Sequence, residues 1–331
     1  MQAAPEVRPD FTKASSYITD TRQPAAFDFT SAVEAFYDKF PDHTGKTFFV
    51  DVSTGNIAHP DPGVVDELVH LITKTEDGAK QLQPIIAKCR DQKTSYCQQD
   101  GNGNSIIFIY TADDRPRFLG GSVTPAQELQ FIFDHEVGHA VVPEGGSDVR
   151  LVAENAADAY AVLCDLQRNG PESRLLESVL LFRTGYALYH PAGMINFSGP
   201  TLEQIAAQRE ELAKTPAAVA ETLATAGRLA REHTLSHKDA YALFESFEPM
   251  HNYKPVGALA QVVLTTPLPD TFKWAGTVLK AILERKLDAP EGLSEEFSDA
   301  AARILLPKVA ARERELAPPA RKTPRFEAAF A

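Results

Sequence analysis

The segment "FDHEVGHAVV", residues 133 to 142, sets two histidines four positions apart with a glutamate directly after the first. On a helix, positions i and i+4 lie one turn apart on the same side. His135 and His139 can therefore turn both imidazoles toward one metal ion, at about 2.0 to 2.1 Å from it. Glu136 follows at about 100° of helical rotation. That aims its carboxylate beside the metal, where it can take a proton from water as a general base. The donors suit Zn2+, and the chemistry they suggest is metal-assisted hydrolysis.

A catalytic zinc needs three protein ligands and an open position. A third donor is on offer in "AENAADAYAV", residues 153 to 162, where Glu154 and Asp158 again stand four apart on one helical face. Ala153, Ala156, Ala157, Ala159 and Ala161 keep that helix thin, which allows a close approach to the helix before it. Glu154 is the expected third ligand. Asp158, one turn on, is expected to accept the N–H of a ligand histidine and fix its tautomer. Aspartate serves as the third zinc ligand in some zincins, so Asp158 in Glu154's place is the alternative.

"HEVGH" followed by "ENAAD" resembles the gluzincin metallopeptidases, thermolysin and neprilysin among them, in which HExxH is completed by a glutamate in an ExxxD motif on a later helix. The resemblance implies that His135, His139 and Glu154 bind zinc, Glu136 is the catalytic base and Asp158 supports a ligand. The spacer between His139 and Glu154 is shorter than in those two enzymes. It is closer to that of uncharacterised bacterial metallopeptidase-like proteins with an HExGHA helix and a nearby E-x-A-A-D. The likeness covers roughly residues 124 to 168. The fold class it implies is α+β and zincin-like, with a small N-terminal mixed α/β part, a central HExxH helix and a mostly α-helical C-terminal part.

The elements that must position these residues follow from local pattern. "TPAQ", 124 to 127, opens the motif helix: Thr124 can cap it, Pro125 suits the first helical position and Gln127 can complete a capping box. Phe131, Ile132 and Val142 run along the histidine stripe, Phe133, Val137, Ala140 and Val141 flank it, and only Gln127, Gln130 and Asp134 form a polar face. The histidines are thus expected inside, where polar groups need partners. The helix stops at "PEGGSD", and a second runs from about Val149 to Arg168.

Upstream, a helix is expected from Thr30 to about Tyr37, a strand in "KTFFVDVSTG" (46 to 55), an amphipathic helix in "PGVVDELVHLITK", another helix over 77 to 91, and a strand at 104 to 112. That strand, over 104 to 110, is also a candidate to dock an extended peptide by edge pairing. Downstream, helices are expected at 172–188, 201–213, 216–232, 237–247, 255–264, 270–287 and 293–316. The organisation is then an extended arm (1–27), an α/β metallopeptidase core (28–170), a helical domain (171–316) and a tail (317–331).

Peptide hydrolysis also needs a donor for the developing oxyanion. His190, His233, His237, His251 and Tyr253 are the candidates, and His251 with Tyr253 is preferred because a loop between helices can overhang a cleft.

Composition narrows the partners. With 33 basic against 45 acidic residues and a net charge of −12, the chain would repel a phosphate backbone, so nucleic acid is not expected. Apolar runs such as "SIIFIY" fall well short of the roughly 20 residues that span a bilayer, so no membrane insertion is expected. The three cysteines read as free thiols, although Cys89 and Cys97 could pair in an oxidising compartment. "MQAAPEVRPDF" carries no secretory signal, which makes cytoplasmic the default, while "QAAPE" also suits the mature end of an exported chain. The expected function is zinc-dependent hydrolysis of a peptide or protein substrate. A catalytically silent zincin-fold binding or regulatory protein is the alternative, and a metal-free helical interaction module is the third reading.

Overall fold

A computed structural model describes residues 26–74, 78–119, 123–146, 150–189, 196–214 and 218–236. Their architecture is α+β, mostly helical, with one four-stranded sheet. Helix α1 (Phe29–Lys39) starts at Asp28, whose side chain accepts from the N–H groups of Thr30 and Ser31. Strands β1 (Thr47–Asp51) and β2 (Asn56–Ala58) form a hairpin, and helices α2 (Pro62–Thr73) and α3 (Gly78–Gln92) follow. Strands β3 (Tyr96–Gln99) and β4 (Ser105–Ile109) complete the sheet in the order β2-β1-β4-β3. β1 runs parallel to β4, and the two outer strands are antiparallel to their neighbours.

Side chains alternate across this sheet, as period two requires. Phe48, Val50, Ile106 and Phe108 pack with Leu68, Val69 and Ile86 of α2 and α3. Phe49, Ile107 and Ile109 face the other way and join Phe133 and Val137. β1 and β4 are buried along their whole length, which is why both read as continuous apolar runs.

The sheet corrects two expectations. β4 is paired on both sides, so the 104–110 strand has no free edge to offer a peptide; the outer strand on that side is β3. Sequence reading passed over β2 and β3 because they are three and four residues long and carry little apolar signal. Cys89 packs in the α2–α3 core while Cys97 packs against the core on the opposite face, so the two do not pair, and all three cysteines are free thiols.

Helix α4 (Pro125–Val141) carries the histidines and opens with the expected capping box. Thr124 Oγ1 accepts from the Gln127 N–H at 3.2 Å, and Gln127 Oε1 accepts from the Thr124 N–H at 3.1 Å. Its assigned polar face is not a solvent face throughout. Asp134 is 6% exposed and pairs with Arg168 and Gln130. Once α5 (Arg150–Asn169) covers that side, a buried carboxylate is tolerable only with a cation against it.

Helix α5 follows a 3₁₀ turn at Pro143–Gly146. The α4–α5 crossing is close because it is built from small residues: a Cβ on Gly138 would stand 2.8 Å from Ala157 Cα and 3.1 Å from its carbonyl oxygen. Helices α6 (Leu175–Tyr189), α7 (Gly199–Ala207), α8 (Arg209–Lys214) and α9 (Val219–His233) follow, the expected 201–213 helix being broken at Gln208. Leu176, Val179, Leu202, Ile205, Ala226 and Leu229 from these helices enter the same core cluster as Phe133 and Val137 of α4. Among the described residues no helix is long and apolar enough to cross a membrane. The helices expected beyond residue 236, most of the N-terminal arm and the tail lie outside the described residues.

Candidate metal centre

His135 and Glu136 are 8% and 7% exposed, and His135 faces α5. The rings of His135 and His139 stand nearly perpendicular, at 89°, with centroids 4.8 Å apart. Glu154 reaches them from α5, its Oε2 3.6 Å from His135 Nε2. His135, His139 and Glu154 each offer one ligand atom, all within 4.8 Å of one another. Tetrahedral coordination at 2.0 to 2.1 Å would draw such donors to about 3.4 Å apart, a small side-chain closure.

The far nitrogen of each imidazole is already engaged. His139 Nδ1 lies 3.1 Å from the carbonyl oxygen of Gly145. That turn passes under the helix only because residue 145 has no side chain; a Cβ there would stand 2.8 Å from His139 Cα. His135 Nδ1 lies 2.8 Å from Asp158 Oδ1. Both Nε2 atoms are left for a metal, the arrangement that outer partners impose on ligand histidines. Two imidazoles and a carboxylate with an adjoining cleft fit a three-ligand metal site with an open position.

Asp158 is fully buried and sits at the centre of a charged chain. Arg183 of α6 donates to it from Nε and Nη2, each at 2.7 Å, and Ser198 Oγ donates at 2.5 Å. Burial alone would raise this carboxyl, but the Arg183 guanidinium overcomes it and holds Asp158 well below the usual carboxylate range. Burial likewise opposes a proton on His135, and the Asp158 charge outweighs it, so His135 is held above its ordinary value. His139 is pushed down to about 4, by burial and then by the charge on His135, which keeps its ring neutral.

Glu136 is not one of the three converging donors but stands beside them, its carboxylate facing the backbone N–H of Cys97 on β3. Burial pushes it up to about 7. Gln99 ties β3 to the end of α4, donating from Nε2 to the His139 carbonyl at 2.6 Å. The donors and Glu136 open onto a cleft of about 720 Å³ whose walls include Tyr96, Cys97, Arg115, Phe118, Phe182 and Arg183.

Of the sequence candidates, His135, Glu136, His139, Glu154 and Asp158 are brought together. His251 and Tyr253, like His190 and His237, lie outside the described residues. His233 closes α9 and does not line the cleft. Sequence reading missed Arg183, although a signal existed: a lone arginine inside the apolar run "SVLLFRTGYALY" marks a charge that must be paired if buried. It also missed the Cys97 N–H, which no residue type can signal. No protein-family model, curated protein or solved structure matches the chain.

Proposed function

We propose that this protein is a zincin-like, gluzincin-type metallopeptidase, hydrolysing peptide bonds with Zn2+ held by His135, His139 and Glu154. One observation carries the reading: Glu136 stands beside the three converging donors without belonging to them, in the same cleft and against the outer strand β3. Zinc bound by such a donor set supplies a Lewis acid that polarises a carbonyl and acidifies water.

The chain's own residues supply the rest. The Glu136 carboxylate accepts the proton of the attacking water and passes it to the leaving amine. The Cys97 N–H holds that carboxylate in place. An extended peptide adds to β3 as a further strand, presenting alternate side chains to the cleft. Arg183, fixed by Asp158 on the cleft wall, offers positive charge to the carbonyl oxygen as it becomes anionic.

The test is a peptide-library digest by wild type and Glu136→Gln, matched for zinc content. The amide keeps the shape but cannot take the proton, so cleavage should fall by about 10²- to 10⁴-fold. Equal cleavage by both proteins would assign the base elsewhere. No cleavage by zinc-loaded wild type would leave a zinc-bearing binding protein.

A further inference from the structure

The chain is acidic overall, with net charge −12, yet its cleft is lined by Lys93, Arg115, Arg150 and Arg183 against the two carboxylates Glu136 and Glu154. Three of these cations have their own partners. Lys93 meets Asp114 at 2.7 Å, Arg150 approaches Glu154 at 3.6 Å, and Arg183 grips Asp158 at 2.7 Å.

Arg115 is different. Its side chain is 8% exposed, and its counter-charge is Glu128, which is 0% exposed and shared. Glu128 Oε2 accepts from Arg117 Nε at 2.7 Å, and its Oε1 accepts from the Phe118 N–H at 2.9 Å as well as from Arg115 Nη1 at 3.1 Å. Glu128 thus divides its charge between two guanidinium groups. Arg115 uses Nη1 for Glu128 and the Pro116 carbonyl, while Nε and Nη2 meet no acceptor among the described residues. A guanidinium so little exposed to water gains more from an incoming anion than a surface one does.

Its position relative to the metal donors is set by a continuous wall. Arg115 Cζ lies 5.9 Å from the Phe118 ring, Phe118 and Phe182 are 4.6 Å apart between centroids, and Arg183 Cζ lies 5.6 Å from the Phe182 ring. Arg183 then leads through Asp158 to His135.

We infer that Arg115 is a carboxylate-binding subsite of this cleft, selecting peptides that place an acidic side chain or a free C-terminus there, with Phe118 and Phe182 taking the apolar side chain between that anchor and the metal donors. The inference rests on the peptide-hydrolase reading. A substrate carboxylate would meet the guanidinium as a charge-assisted, two-bond pair.

The experiment measures binding, so turnover does not enter it. Zinc-loaded Glu136→Gln is titrated with dansylated apolar hexapeptides that carry either Glu or Gln at one internal position, each with a free or an amidated C-terminus. At least one carboxylate should tighten binding by about tenfold or more, the size expected of a hydrogen bond between charged groups. The pair that shows the preference identifies the source, side chain or terminus. Adding Arg115→Gln should erase the preference, so that all four peptides bind with the same affinity. If that variant does not fold, Arg115→Lys decides, because losing the guanidinium fork should cut the preference severalfold. Equal affinity of Glu136→Gln alone for all four peptides, or a preference that survives either substitution intact, overturns the subsite. An absence of hydrolysis in the separate digest bears on the peptidase reading and leaves this result standing.

Discussion

Asp158 Oδ1 stands 2.8 Å from His135 Nδ1, while Arg183 grips the same carboxylate through Nε and Nη2, each at 2.7 Å. Three helices are thereby joined by one buried charge. Asp158→Asn should therefore do two things. Metal affinity should weaken about 10- to 100-fold, as for other lost outer partners. The metal-free protein should also lose about 3–5 kcal/mol of stability, because Arg183 is left buried without a counter-charge. Chelator competition and urea unfolding measure the two effects separately. A loss of affinity with unchanged stability would mean that Arg183 finds another partner.

Zinc should be retained at about one per chain and should stabilise the fold, since affinity for the native state adds to its folding free energy. With free zinc at a hundred times the dissociation constant, the gain is about 2.7 kcal/mol. Chelation should lower the thermal midpoint of wild type, and His135→Ala or His139→Ala should abolish both the bound zinc and the chelator effect. Unchanged zinc content in both variants would refute the donor assignment.

Glu154 and Asp158 occupy successive turns of α5 but should differ in kind. Glu154 Oε2 faces His135 Nε2 at 3.6 Å, on the metal side of the ring, whereas Asp158 faces Nδ1. Glu154→Ala should empty the site, and Asp158→Asn should only weaken it. Elemental analysis after dialysis against trace zinc reads the difference, and the opposite pattern would exchange the two roles.

Gly138 tests the crossing that brings α4 and α5 together. Alanine is favoured over glycine within a helix by about 1 kcal/mol, so on propensity alone Gly138→Ala should stabilise. The added Cβ would meet Ala157 Cα at 2.8 Å. Overpacking of this kind costs about 1–3 kcal/mol. The expected result is a lower unfolding midpoint together with weaker metal binding, as α5 carries Glu154 away from the histidines. A more stable variant with full affinity would show that the helices can part without cost to the site.

The sequence by itself determined what depends on short range. Helical spacing places His135 with His139 and Glu154 with Asp158; the Thr124–Gln127 capping box fixes where the motif helix begins; continuous apolar runs give β1 and β4. The two helical spacings and the cap are decided by neighbours within one turn, and the strands by an unbroken run of β-branched and aromatic residues. Only the tertiary structure decided which side of α4 meets α5, that Asp134 lies inside against Arg168, that β3 and not β4 is the outer strand by the cleft, and that Arg183 holds Asp158 from 25 positions away. No local period encodes such a pairing. A buried carboxylate requires a cation, but which cation reaches it is fixed by how the helices pack, and that depends on the glycine and alanines at their crossing.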